Sequence, residues 1–157
     1  MSDRPNVKLP PPVIYAGAFA TGYGLQWLVP WSAFDGPLRW ALAALLGLPA
    51  GAVALWALLT FRRADTAIEP WEPARHLVTH GPYAYTRNPM YVSLTLLTAG
   101  IAVAADFPWA LLMVPVAVVV TDRHVIAREE VHLRHMFGTA YADYCTRTRR
   151  WLGRKAG

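Results

Sequence analysis

Apolar residues in this chain come in long blocks, without the short alternation of strands or the single stripe of a soluble helix. Residues 13–29 carry no charge, and neither do residues 40–61. The second block, read as a helix over 38–61, is long enough to cross the roughly 30 Å apolar core of a bilayer. Two shorter blocks, 90–105 and 107–121, flank the reversal Asp106-Phe107-Pro108 and read as a helical hairpin. Gly17, Ala20, Thr21 and Gly24 in the first block, and Gly47 and Gly51 in the second, offer small-residue faces for close helix packing. Pro49 lies between the latter two and predicts a kink. From Asp122 onward the pattern becomes amphipathic. Val125, Glu129, His132 and Met136 share one helical face, and Ile126, Glu130, Leu133 and Phe137 the next. The fourth helix is therefore expected to run on out of the bilayer and to stop near Gly138. Residues 141–154 read as a second short, basic helix or arm.

Composition supports a membrane setting. Of the 157 residues, 55% are hydrophobic and only 16% charged, too apolar for an ordinary soluble domain. Seven Trp and seven Tyr suit anchoring at the bilayer interface. The basic residues then set the orientation. Two lie in the tail 1–12, four in the connection 62–89 and eight after residue 121, the opposite loops 30–37 and 106–108 carry none, and Arg39, just inside the second span, is the one remaining of the fifteen. An excess of arginine and lysine marks the cytoplasmic side. The expected fold is thus an all-α integral membrane bundle of about four transmembrane helices, a single domain over 1–157 with both termini and a C-terminal helical arm in the cytoplasm. The same topology accounts for the net charge of +5, so a nucleic-acid partner is not expected. A lone cysteine, Cys145, excludes an internal disulfide framework. Oligomeric state is not legible.

Candidate chemistry concentrates in residues 77–91, Leu-Val-Thr-His-Gly-Pro-Tyr-Ala-Tyr-Thr-Arg-Asn-Pro-Met-Tyr. Gly81-Pro82 and Asn88-Pro89 are turn signals, and an apolar run follows directly. The hairpin brings this loop close to the helix that leaves the fourth span. Glu129 and Glu130 can then approach Tyr83, Arg87 and Tyr91, an arrangement able to hold a polar cofactor against a lipid-borne substrate. The competing arrangement pairs both glutamates with Arg128 and Arg134 on a solvated helix face, which helix spacing favours. His76 and His80, or Glu129 and His132, are metal-like spacings without the further carboxylates a diiron bundle requires, so no metal is expected. No glycine-rich phosphate loop occurs, and Ser93 and Cys145 lack an identifiable triad.

Four ordered blocks carry a family resemblance: Leu77-Val78-Thr79-x-Gly81-Pro82-Tyr83, Arg87-Asn88-Pro89-x-Tyr91, Glu129-Glu130-x-x-Leu133, and Phe137-Gly138-x-x-Tyr141-x-x-Tyr144. Over about residues 75–151 the chain resembles the isoprenylcysteine carboxyl methyltransferases, which are grouped with the phospholipid N-methyltransferases. The resemblance implies a small membrane enzyme that uses S-adenosylmethionine without a Rossmann domain. It implies cofactor contacts at Arg75, His76, Leu77, Val78, Gly81, Tyr83, Asn88, Tyr91 and Glu129. Glu129, Glu130 and Arg87 become catalytic candidates. Two positions depart from the family. Its usual histidine is Arg75 here, with His76 one place away, and Val125 replaces an arginine that contacts substrate in the eukaryotic members. Arg123 and Arg128 lie near that position and become the substrate candidates, so the acceptor is expected to be lipid-like or amphipathic, not specifically a prenylated cysteine. Three alternatives stand beside this reading: a phospholipid amine methyltransferase, a nicotinamide-dependent reductase of the sterol-reductase type, and a non-catalytic membrane module.

Overall fold

Proline opens three of the five helices. It sits at the first turn, where its missing N–H would have had no partner in any case. In the computed structural model, which describes residues 10–63 and 77–153, α1 runs Pro11–Leu28, α3 Pro89–Ala104 and α4 Pro108–Thr121. Helix α2, Gly36–Arg63, instead begins on a positive-φ glycine and ends on Arg62 and Arg63, where cations suit the carbonyl end of the dipole. Pro49 lies inside α2, and the helix runs on through it. Helix α4 also does not stop. A five-residue π-helical turn, Asp122–Ile126, joins it directly to α5, Ala127–Arg147. The expected continuation of the fourth span is therefore present, and so is the break at Gly138, whose backbone (φ 51°, ψ −123°) leaves helical space inside α5.

The described residues form an all-helical bundle. Helix α2 packs chiefly on α3 and α1 on α4, with α3 and α4 joined as a hairpin. The buried faces are built from small residues, among them Ala50, Ala57, Ala99, Ala102, Ala110 and Ala117. Large apolar side chains lie outside: Leu45, Leu48, Leu55, Leu97, Ile101, Leu112, Val116 and Val119. Small inside and large outside is the arrangement of helices that pack by close approach in lipid. Two helices, Gly36–Arg63 and the continuous Pro108–Arg147, are long and apolar enough to cross a membrane. The other two expected spans are less clear by that measure: α3 has 16 residues, and α1 has 18 and carries Gln26.

Of the glycines the spacing suggested, only Gly47 takes part in a close approach. Around Gly17, Gly24 and Gly51 an added Cβ would meet nothing within 4 Å. Instead Gly22 is pressed against the backbone of Ala110 and Trp109, and Gly100 against Ala43 and Gly47 of α2. Small-residue spacing marks a face that permits contact; which face is used depends on the partner helix.

At the end opposite loop 77–88, where Arg39 is the nearby cation, Asp106 ties the two loops together. Its carboxylate accepts hydrogen bonds from Ser32 Oγ (2.5 Å), Ala33 N (3.0 Å) and Phe34 N (2.9 Å). These bonds hold its carboxyl below the usual range, although the group is exposed to water.

Candidate functional site

At the basic end the loop 77–88 closes over the bundle. Gly81 starts a tight 3₁₀ turn, Gly81–Ala84, with φ +63°. A Cβ there would stand 2.9 Å from Thr60 Oγ1 and 3.3 Å from Trp56 Nε1, so glycine is required both for the backbone angle and for the approach to α2. The turn buries Tyr83, whose ring stacks on Phe61 with centroids 4.8 Å apart. Val78, Tyr83, Ala57, Tyr141 and Tyr144 form one buried apolar cluster, with Leu77, Met90, Leu133 and Phe137 packed against it. Burial pushes the hydroxyls of Tyr83 and Tyr144 well above the usual tyrosine range. Tyr85 points away into an exposed position beside Trp56.

The Gly138 break folds the last part of α5 back onto this loop. Tyr144 Oη donates to Tyr83 O at 2.7 Å. Beyond α5 the tail runs along residues 85–88. Arg87 N donates to Arg149 O (3.0 Å), Asn88 Nδ2 to Arg150 O (2.9 Å) and Gly153 N to Tyr85 O (2.9 Å). Asn88, expected at the cofactor, therefore spends its amide on holding the tail.

The two glutamates part ways. Glu130 is buried, and its carboxylate takes Arg87 Nη2 at 2.9 Å on one oxygen. Arg150 adds a fork, Nε to the same oxygen at 2.9 Å and Nη2 to the other at 2.6 Å. Arg150 Nη1 reaches on to Asp122 (3.0 Å), which also accepts from Trp151 Nε1 (2.9 Å). Arg87 further meets Cys145 Sγ, and its Nε is buried without a partner. Glu129 accepts a hydrogen bond from Tyr91 Oη at 2.7 Å and, among the described residues, has no cationic partner. Burial pushes its carboxyl up to about 7; the Tyr91 hydrogen bond opposes the shift, and the Glu130 charge adds to it. The solvated pairing of both glutamates with Arg128 and Arg134 is thus replaced by buried partners from the loop, α3 and the tail.

Of the expected site residues, Leu77, Val78, Gly81, Tyr83, Arg87, Asn88, Tyr91, Glu129 and Glu130 gather at this end of the bundle. Arg75 and His76 lie outside the described residues. Arg123 and Arg128 are exposed, and Arg123 lines a different surface with Asp122 and Arg150. Among the described residues no cluster of three metal-ligating side chains occurs. Sequence reasoning missed Arg150 and Asp122, which sit in no motif, and Tyr15. The Tyr15 hydroxyl, buried in α1, shares a 2.6 Å hydrogen bond with Thr95 one turn beyond Tyr91.

The arrangement suits a cationic ligand. A desolvated carboxylate to which the described residues bring tyrosines and no counter-charge favours an ammonium or sulfonium group. A family model described as phospholipid methyltransferase matches residues 38–140, from the start of α2 past the Gly138 break. No curated protein and no solved structure matches the chain.

Proposed function

The chain belongs to the phospholipid methyltransferase family, and from that premise we propose that it is an integral-membrane methyltransferase. It takes a methyl group from S-adenosylmethionine and passes it to a lipid-like or amphipathic acceptor. Four helices cross the bilayer, α1 to α4, with the site and the α5 arm on the cytoplasmic side. The observation that carries the reading is the Tyr91–Glu129 hydrogen bond, a half-buried carboxylate beside the family's loop for which the described residues offer no counter-cation.

S-adenosylmethionine, when bound, would supply an electrophilic methyl group on a sulfonium sulfur, with a neutral thioether as the leaving group. The chain supplies placement and desolvation. Glu129 balances the cationic charge or accepts a hydrogen bond from the cofactor's ammonium. Tyr83 and Tyr91 offer ring faces, and Leu77, Val78 and Gly81 the adjoining backbone. Arg75 and His76 are the remaining cofactor candidates from the family pattern. Arg87 and Glu130 hold the loop against α5 as a positioning pair. Arg128 stays the acceptor-side candidate.

Methylation of an amine acceptor would release a proton, and Glu129 is the carboxyl beside the loop that could take it. A carboxylate acceptor would need no such base. The test is a thermal-shift titration of the purified protein with S-adenosylmethionine and with NADPH, followed by transfer of labelled methyl to lipid amines and lipid carboxylates. Stabilisation by NADPH alone would overturn the proposal, as would labelled methyl on neither lipid class.

A further inference from the structure

One surface feature shares Asp122, Arg150 and Trp151 with the network around Glu130 but faces away from the cofactor candidates. Where α4 gives way to the π-helical turn, an open groove of about 550 Å³ is lined by Val118, Val119, Asp122, Arg123, Arg150 and Trp151. Its lining divides by chemistry. Val118 and Val119 close α4, and Val119 continues the outward apolar face of Leu112 and Val116. The polar residues follow within one helical turn or come from the tail. Trp151 is fixed as a wall, because its indole N–H is engaged by Asp122.

The charge balance of the groove is positive. Arg150 pairs with Asp122 and with Glu130, which is also held by Arg87. Those four charges cancel. Arg123 is left over: it is exposed and, among the described residues, makes no ion pair or hydrogen bond. Arg150 also keeps donor capacity. A guanidinium has five N–H groups, and only three are used here, two on Glu130 and one on Asp122. One unpaired guanidinium and two spare N–H groups thus lie beside an apolar helix face at the end of a membrane-spanning helix. A phosphodiester accepts that donor set, with an acyl chain on the valines.

We propose that this groove binds an anionic phospholipid as a resident, non-acceptor lipid. Its phosphate is held by Arg123 and the free edge of Arg150, and its acyl chain lies along Val118 and Val119. The proposal depends on the membrane setting of α4 and not on methyl transfer.

The test uses the full-length protein in detergent, with lipid occupancy read by native mass spectrometry. Phosphatidylglycerol, phosphatidylcholine and soluble glycerophosphate are the probes. Phosphatidylglycerol should occupy one site more tightly than phosphatidylcholine, and Arg123→Gln should weaken it about tenfold, the loss of one charge-assisted contact. Val119→Trp, which fills the apolar half and leaves both arginines, should also displace it. Unchanged phosphatidylglycerol occupancy in both variants would overturn the proposal. So would equal retention of glycerophosphate, which would make this a site for a soluble anion. S-adenosylmethionine binding, measured on the same variants, should stay at the wild-type level. Its absence from the wild-type protein would count against the methyltransferase reading alone.

Discussion

Glu129 and Glu130 are neighbours in sequence and differ in almost every other respect. Glu130 is held by two arginines and Glu129 by a phenol. Because burial raises the Glu129 carboxyl from its ordinary 4.5 to about 7, the folded chain holds this proton more tightly than the unfolded chain does. Stability from this group is therefore full below about 4.5 and is lost as pH rises through 7. Ligand binding runs the other way, since a cationic cofactor prefers the ionised form. Its affinity should rise as pH passes 7, with proton uptake by buffer in calorimetry. Among the described residues the groups facing this carboxyl are Tyr91, Tyr83 and Glu130, the last already paired with Arg87. Glu129→Gln should flatten the pH profile and weaken S-adenosylmethionine binding roughly ten- to a hundredfold, the value of one aligned charge-assisted contact. Glu130→Gln should instead lower the melting temperature, because it strands Arg87 in a buried position. The motif made both acids visible. It did not separate their roles, because the partner that claims Glu130 is Arg150, twenty positions away in a tail without pattern.

Among the helices and turns, glycine decides where elements may approach or bend. Gly81→Val meets both a positive φ and the Thr60 side chain, so the loop should lift from α2. Cofactor affinity should then fall by more than the melting temperature suggests, as seen by comparing titration with thermal unfolding. Gly138 has a backbone that side chains rarely adopt, and Gly138→Ala should cost about 1–3 kcal/mol. Tyr144→Phe removes the hydrogen bond that the bend delivers and should cost about 1 kcal/mol. Within the bundle, Gly22→Val should destabilise by about 1–3 kcal/mol through overpacking, while Gly17→Val should be near neutral in the same unfolding assay. Element existence was legible throughout the described chain because uncharged runs and prolines mark helix bodies and starts. Pairing was not. The α1–α4 contact runs through Gly22, which differs in sequence from Gly17 and Gly24 in no respect that names a partner.

For the molecule as a whole, most of the basic residues at one end and the Asp106 clasp, with Arg39 near it, at the other define two faces. Cysteines placed at Ala33 and Thr139, in a Cys145→Ser background, should be labelled from opposite sides of a sealed vesicle. Labelling of both from the same side would remove the four-span topology. The charge pattern motivates this expectation, since positive residues avoid the far side of a membrane. One feature of the long α4–α5 helix was not readable in any residue. The π-helical turn Asp122–Ile126 gives the helix one residue more than an α-helical path needs. Each residue in a helix advances the azimuth by about 100°, so everything downstream is out of phase with the bundle by that angle. The arm is in effect a dial set one notch on, and that setting is what turns Glu129 to Tyr91 and Glu130 to Arg87. Deleting the exposed His124 should reset the dial, swing both carboxylates away from their partners and abolish cofactor binding, whereas replacing His124 with alanine should leave the phase intact.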